Sequence, residues 1–171
     1  MAKHARASKP GHHVEETDYR GPAELLNRQG MGHAKKGEYN EAVKCFIKAQ
    51  NVNPNNATSW YNIGTSLAMD NKEDKALFIL YCYDRAIELN PQDAEAWNNK
   101  ATILELMGAD ENAIMCYKRA LEIRPGHGSA MRNMELLLTR LGRKREAMNY
   151  NTDSAQPKPS FTEAVHYVSW D

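Results

Sequence analysis

The sequence predicts an all-α fold, an α-solenoid built from stacked antiparallel helix pairs. An amphipathic run precedes each of three prolines, and the residues ahead of each proline recur in the same order. The repeating units begin at residues 23, 57, 94 and 128, so the first three are 34, 37 and 34 residues long. Units of this length are typical of helix pairs that bury their apolar faces only by stacking on one another.

Five columns of the repeat indicate how the units pack. Small residues let helices approach closely, and large residues fill the space between successive pairs. The columns are a large residue (Leu26, Trp60, Trp97), a turn residue (Gly37, Asn71, Gly108), a small residue (Ala42, Ala76, Ala113), an aromatic residue (Phe46, Tyr83, Tyr117) and a second small residue (Ala49, Ala86, Ala120), ahead of Pro54, Pro91 and Pro125. On each side of the turn residue, apolar side chains fall three or four positions apart, which predicts two helices per unit.

These motifs resemble the tetratricopeptide repeat family. The stretches "WYNIGTSL" and "AEAWNNKATILELMGADENAIMCYKRALEIRP" follow the spacing of large, small, aromatic and proline positions in that family. The likeness covers three full repeats and the start of a fourth, with His33 and Lys100 departing from the pattern. It implies a non-enzymatic module that binds a protein or peptide on the concave surface lined by the first helix of each unit.

The chain divides into a repeat domain and two tails. Residues 1 to 22 have the polar composition of a disordered tail. Residues 151 to 171 are predicted to form a linker and a short helical segment, because Ser160 and Glu163 make a capping box ahead of apolar residues at helical spacing. The repeat domain between them comprises units at 23 to 56, 57 to 93 and 94 to 127, and a partial unit at 128 to 150.

Composition excludes several classes of function. Basic and acidic residues both number 22, so no net charge draws the chain toward nucleic acid or anionic lipid. The longest apolar run, residues 76 to 83, is far shorter than the roughly 20 residues that span a bilayer. The first 22 residues lack the apolar core of a signal peptide, and the three cysteines are too few for a disulfide framework. We therefore expect a cytoplasmic protein without a membrane or nucleic-acid partner.

Catalytic, metal and cofactor motifs are missing from the sequence. It has no glycine-rich phosphate loop, paired-histidine helix motif or nucleophile elbow. Cys45, Cys82 and Cys116 share one repeat column, and helices about 10 Å apart are too distant for a disulfide, so we interpret them as packing residues. Glu95 and Glu105 lie about 15 Å apart along one helix, too far to act on one bond. We expect no cofactor, no metal and no enzymatic activity.

An asparagine column suggests how a ligand would be held. Asn62, Asn99 and Asn133 occupy the sixth position of their units, which the resemblance places on the concave surface. An asparagine amide both donates and accepts, so it can pair with a peptide backbone whatever the ligand side chains are. The alternative is that these amides brace neighbouring helices. Residues predicted to contact ligand side chains are Tyr61, Thr65, Asn98, Thr102 and Arg132.

Members of the family that bind the acidic end of heat-shock chaperones use a clamp of two Lys, two Asn and an Arg. The matching positions hold Asn27, Met31, Asn62, Glu95 and Asn99 in one frame, and Tyr61, Thr65, Asn99, Ser129 and Asn133 in the other. The asparagines match the clamp and the cations do not. Because a terminal carboxylate gains little without charged donors, we do not expect this chain to bind a chaperone tail.

Charge is distributed unevenly along the repeats. Residues 51 to 116 hold four cations and ten acids, whereas residues 117 to 147 hold eight cations and three acids. Such charges usually form solvated faces. The functional alternative is that Arg140, Arg143 and Lys144 steer an acidic partner toward this end.

The second unit carries three extra residues and an unusually apolar second helix. Counting from Ala76 to Ala86 places those extra residues inside the helix, which is predicted to run nearly one turn longer than its counterparts. Residues 76 to 83 lack a solvated stripe and must be covered or form an exposed patch. Two covers are available: the C-terminal segment containing Phe161, Val165, Val168 and Trp170, or a second copy in a homodimer. The function that the sequence favours is a protein-binding module, with a self-assembling scaffold as the alternative.

Overall fold

The computed structural model describes residues 21 to 71 and 73 to 150, and the tails predicted from the sequence lie almost wholly outside this range. Within it the chain forms helices and turns without β-strands. The helices are α1 (Pro22–Lys35), α2 (Tyr39–Val52), α3 (Ala57–Met69), α4 (Ala76–Leu89), α5 (Ala94–Leu106), α6 (Asp110–Ile123), α7 (Gly128–Arg140) and the short α8 (Lys144–Ala147), with 3₁₀ turns at Glu73–Lys75 and Met148–Tyr150.

Successive helices pack pairwise, which confirms the predicted α-solenoid. Helices α1 and α2, α3 and α4, and α5 and α6 form three antiparallel pairs, and each pair packs on the next in chain order. Helix α7 packs on α6, and α8 with the last 3₁₀ turn packs back on α7 as an abbreviated fourth unit. Contacts also join α1 to α3 and α5 to α7, so the first helices of successive units lie side by side.

Local sequence signals explain where the helices begin and turn. The Asp93 carboxylate caps α5 by accepting from the backbone amides of Glu95 and Ala96 at 3.0 and 3.1 Å. Between paired helices, Gly108 has a φ of 77°, a left-handed conformation that glycine adopts without steric cost. Asn71 adopts the same conformation with a φ of 54°, so this asparagine does replace the glycine of the turn column.

The spacing between the proline and the tryptophan, which recurs in two units, has a direct structural cause. The Trp97 indole Nε1 donates to the carbonyl oxygen of Pro91 at 3.1 Å, and Trp60 makes the same bond to Pro54 at 3.4 Å. Each tryptophan is therefore tied to the loop that precedes its own unit. The bond satisfies the polar atom of a large side chain whose body packs against the core.

The core lies between the two helices of each pair. The aromatic column (Phe46, Tyr83, Tyr117) and the small residues one turn further along the same helices (Ala49, Ala86, Ala120) are buried. Helix α1 approaches α2 so closely that a Cβ added at Gly30 would meet the Phe46 ring at 2.5 Å. A small residue is therefore required on the first helix wherever the aromatic residue of the second helix crosses it.

The prediction of a longer helix in the second unit is wrong. Helix α4 has 14 residues, as do α2 and α6. The three extra residues lie in the connection ahead of α4, which runs from 70 to 75, whereas the matching connections are 36 to 38 and 107 to 109. The residue that fills the column of Ala42 and Ala113 is Ile79, which is fully buried, rather than Ala76. The sequence suggested Ala76 because the other units have alanine in this column, but the column accepts the larger side chain of Ile79 in the second unit.

The three cysteines are free thiols. Cys82 and Cys116 are buried and Cys45 is half-buried, in agreement with a packing role for this column. In the described part of the chain, no cluster of His, Cys, Asp and Glu side chains could hold a metal ion. None of the helices described there combines the length and the apolarity needed to cross a membrane.

Candidate functional site

The concave surface is lined by α1, α3, α5 and α7, the first helices of the four units. Among the predicted ligand-binding residues, Tyr61 and Arg132 are half-buried and keep part of their surface in solvent. The other six are buried: Asn62, Thr65, Asn98, Asn99, Thr102 and Asn133. Most of the predicted site therefore lies just beneath the concave surface.

Three of the buried asparagine side chains join neighbouring first helices. The Asn99 Nδ2 donates to the Tyr61 hydroxyl at 3.1 Å, which links α5 to α3. The Asn98 Nδ2 donates to the Asn99 Oδ1 at 3.1 Å, and the Asn133 Nδ2 approaches the Asn98 Oδ1 at 3.4 Å, which links α7 to α5. A chain of amides therefore braces the floor of the groove. This is the alternative role for the asparagine column, in which the amides brace neighbouring helices.

A threonine and a tyrosine pair in the same way in two successive units. The hydroxyls of Thr65 and Tyr83 lie 3.3 Å apart, and those of Thr102 and Tyr117 lie 3.2 Å apart. Burial raises the pKa of both tyrosines, so their phenols stay protonated. The Tyr117 phenol also donates to the Glu105 Oε2 at 3.2 Å. These pairs satisfy buried hydroxyls and fix how the two helices of each unit cross.

Asn62 differs from the other members of its column. Its side chain is 3% exposed, yet its Nδ2 has no acceptor among the residues that the structure describes. The equivalent amide of Asn99 finds an acceptor on α3, one unit earlier. An unpaired buried donor costs roughly 1 to 3 kcal/mol and is uncommon in native structures. The Nδ2 itself has almost no solvent-accessible surface, so a ligand carbonyl would accept from it only if the Asn62 side chain turned toward the groove.

Glu95 is held by the loop that joins the third and fourth units. Its carboxylate pairs with the Arg124 guanidinium, and its Oε2 lies 3.3 Å from the His127 Nε2. The contact with His127 lacks the alignment of a hydrogen bond. Burial raises the pKa of Glu95, but the His127 and Arg124 contacts outweigh burial and hold that pKa below its ordinary value. This cluster joins α5 to the start of α7.

The arginines predicted to steer a ligand are engaged with carboxylates. The Arg140 Nη2 donates to the Asp110 Oδ1 at 2.7 Å, and the Arg143 Nη1 donates to Glu111 at 3.0 Å. Arg143 also makes two bonds of 2.7 Å to the Glu146 carboxylate. Both guanidinium groups thus join the fourth unit to the start of α6. Lys144, the third predicted steering residue, is exposed.

A count of charges along the sequence does not reveal these ion pairs, because the two partners belong to different units. The partners of Arg140 and Arg143 across the helix interface lie about 30 positions earlier in the sequence. That separation is close to one repeat length, so residues at matching places in adjacent units become neighbours. The repeat period is the signal that could have located them.

First helices that lie side by side and share a polar groove floor define a helical-repeat interaction scaffold. Profiles of the tetratricopeptide repeat family match residues 33 to 70 and 94 to 127. Over these two stretches the chain carries repeats that match the tetratricopeptide repeat family. Proteins of this family are generally non-catalytic modules for protein interaction or scaffolding.

Solved structures share the fold. A MamA crystal structure is 24% identical, with a TM-score of 0.69 over 85% of this chain and 77% of that chain. MamA from Desulfovibrio magneticus RS-1 is 21% identical, with a TM-score of 0.67 over 77% of this chain and 72% of that one. The first repeat domain of Spaghetti (RPAP3), bound to the HSP90 peptide SRMEEVD, is 22% identical, with a TM-score of 0.65 over 70% of this chain and 93% of that one. No curated protein sequence matches the chain significantly.

Proposed function

We propose that this protein is a non-catalytic interaction module that holds an extended or helical segment of a protein partner in its concave groove. The observation that carries the proposal is the buried amide of Asn62, whose Nδ2 lacks an acceptor in the described chain. A backbone carbonyl of a bound segment would satisfy this donor and recover the free energy that its isolation costs.

The buried bonds divide the predicted site into two groups. Asn62, Asn99 and Asn133 contact the ligand backbone in our proposal, and Tyr61 and Arg132 contact its side chains. Thr65, Asn98 and Thr102 are buried and bonded within the groove wall, so we assign them to bracing. A ligand would therefore meet a surface whose shape is fixed before binding, which lowers the entropic cost of association.

The charge of the groove favours a mixed rather than a strongly acidic ligand. Glu24 and Glu95 lie on the first helices together with Arg28 and Arg132. Steering of an acidic segment, which we retain as a minor part of the proposal, would depend on the exposed Lys144 and Arg145 rather than on the paired arginines.

The HSP90 peptide found with the RPAP3 domain is not the ligand that we propose. Peptides with acidic ends are held by charged donors, and the positions that match the clamp hold no Lys or Arg in either frame. Glu95 would repel such a peptide, because its carboxylate is ionised at neutral pH.

Three alanine variants of the full chain test the role of Asn62, with peptides selected from a random library as the probe. Asn62→Ala removes an unpaired donor, so we expect a melting temperature at or above that of the wild type and a loss of about 1 to 3 kcal/mol in peptide affinity. Asn99→Ala breaks the bond to Tyr61 and should lower the free energy of unfolding by about the same amount. Asn112→Ala, on the exposed surface of α6, is the matched control and should change neither quantity.

Calorimetric titration and thermal unfolding supply the two measurements. A lower melting temperature for Asn62→Ala with unchanged peptide affinity would contradict the proposal and assign Asn62 to bracing.

A self-assembling scaffold is the second candidate function. It is favoured by the exposure of Leu77, Phe78 and Tyr81 on α4, because exposed apolar side chains on one helix commonly mark an interface. Light scattering of the purified full chain distinguishes the two functions: a concentration-dependent mass supports self-assembly, and a monomeric mass supports the groove-binding module alone.

A further inference from the structure

A second groove lies away from the concave surface, between the second helices of the second and third units. Helices α4 and α6 form its walls and α5 its floor, and its volume is about 650 Å³. Its apolar lining includes Leu80, Trp97, Leu104 and Met115. Volumes of this size are typical of sites that bind a ligand or several anchoring side chains.

The walls of this groove carry large apolar side chains that are exposed to solvent. Met115, which lines the groove on α6, is 68% exposed. Leu77, three residues before the lining residue Leu80 on α4, is 74% exposed. Several large apolar side chains grouped on adjacent helices commonly mark a surface that another element covers.

The floor of the groove has a defined shape. Lys100 lies over the Trp97 ring, with its Nζ 5.6 Å from the ring centroid, and it also pairs with Asp84 at 2.5 Å. These contacts hold the indole and the lysine stem in place between the two walls. The groove therefore exists before anything occupies it, and an occupant need not open it.

We propose that residues 160 to 170 of this chain occupy the groove between α4 and α6 as an amphipathic helix. The sequence places Phe161, Val165 and Val168 at positions i, i+4 and i+7, which lie on one helical face. Ser160 and Glu163 supply the capping box that starts such a helix. An 11-residue helix is about 16 Å long and fits along walls of 14 residues, which are about 21 Å long.

The chain outside the described range can reach the groove. The last described turn, Met148–Tyr150, packs on α7 and α8, and α7 packs on α6, one wall of the groove. The nine residues from 151 to 159 span up to about 30 Å when extended. Packed helices lie about 8 to 10 Å apart, so this linker can cross two helices before the segment begins.

Tethering favours this segment over an outside partner. A short flexible linker gives an effective concentration on the order of 1 mM, so even a segment affinity of about 0.1 mM would leave the groove open in only about a tenth of molecules. The occupied groove would shield the apolar side chains that line it, Met115 among them. Occupation leaves the concave site open, so this inference is independent of the proposed function.

Thiol alkylation in the full chain tests the inference. Met115→Cys places a reactive thiol on the groove wall, and the half-buried Cys45 on α2 is an internal reference away from the groove. Adding Phe161→Asp and Val165→Asp removes the apolar face of the segment without touching the solenoid. We expect these changes to raise the alkylation rate at position 115 about tenfold, in line with the open fraction above, and to leave Cys45 unchanged.

A matched control adds the same charges to a different helical face of the segment. Thr162→Asp with His166→Asp should leave the alkylation rate at position 115 at the slow value of the Met115→Cys chain. Equal rates in all three proteins would overturn the inference, since they would show that nothing in the pure protein covers the groove. Protection that disappears on dilution, together with a dimeric mass by light scattering, would also overturn it and assign the groove to a second copy.

Discussion

Two glycines in α1 differ in what surrounds them. A Cβ at Gly30 would lie 2.5 Å from the buried ring of Phe46, whereas nothing lies within 4 Å of a Cβ at Gly32. Replacing glycine with alanine should therefore have opposite effects on the free energy of unfolding at these two positions.

We expect Gly32→Ala to raise the free energy of unfolding by about 0.5 to 1 kcal/mol, because alanine loses less backbone entropy in a helix. Gly30→Ala should lower it by about 1 to 3 kcal/mol, because the ring of Phe46 is buried and must shift. Urea unfolding of the two variants measures both effects. A neutral or stabilising Gly30→Ala would show that α1 and α2 are less tightly packed than described.

The sequence identified the asparagine column but could not determine the role of each member. Asn62, Asn99 and Asn133 are the same residue at the same repeat position, yet only Asn99 and Asn133 have acceptors in the described chain. The difference depends on the neighbour one unit earlier: Asn99 meets the Tyr61 hydroxyl. A repeat pattern predicts which positions face each other, and the chemistry of each pair follows only when the two residues are considered together.

Among the elements, the connection from 70 to 75 shows that the repeat period alone does not locate the three extra residues of the second unit. The helices on both sides keep their standard lengths, and the extra residues form a separate 3₁₀ turn at Glu73–Lys75. Sequence spacing placed the insertion in the helix because Ala76 resembles the alanines of the other units. A loop can absorb three residues at little cost, whereas a helix that gains three residues must shift its buried face.

Deleting residues 73 to 75 should therefore change the free energy of unfolding by less than about 1 kcal/mol, since it restores the loop length of the other units. The matched control deletes residues 79 to 81, which removes Ile79 from the core and rotates the rest of α4 relative to α3. We expect that control to unfold or aggregate. Circular dichroism and urea unfolding distinguish the outcomes, and equal destabilisation by both deletions would mean that the connection itself packs against the solenoid.

The ion cluster around Glu95 gives the junction of the third and fourth units a pH dependence. Because the pKa of Glu95 is lowered in the folded chain, its contribution to stability is complete above its unfolded pKa, near 4.5, and is lost as pH falls through the folded pKa.

Glu95→Gln should accordingly destabilise the protein at pH 7 and have progressively less effect as the pH is lowered below the unfolded pKa of Glu95. Urea unfolding over this pH range measures the difference from wild type. Glu122→Gln, which affects an exposed carboxylate paired with Arg119, is the control and should show little effect at any pH. A Glu95→Gln effect that is constant with pH would mean that the charge of Glu95 does not hold the junction.

At the scale of the whole molecule, the repeat period accounts for the solenoid and for its two grooves. Stacking places first helices beside first helices and second helices beside second helices, so each groove is lined by residues about one unit apart. The sequence predicted the concave groove from this rule and identified the apolar surface of α4. The groove between α4 and α6 was missed because Trp97 and Met115 belong to different helices and lie together only after stacking.

The proposed function depends on the binding of a protein segment at the concave surface. Nuclear magnetic resonance of the full chain, titrated with a library-selected peptide, tests it most directly. We expect the side-chain amide of Asn62 and the backbone amides of α3, α5 and α7 to shift on binding, while those of α2, α4 and α6 remain largely unchanged. Shifts confined to α4 and α6, with the Asn62 side-chain amide unaffected, would contradict the account.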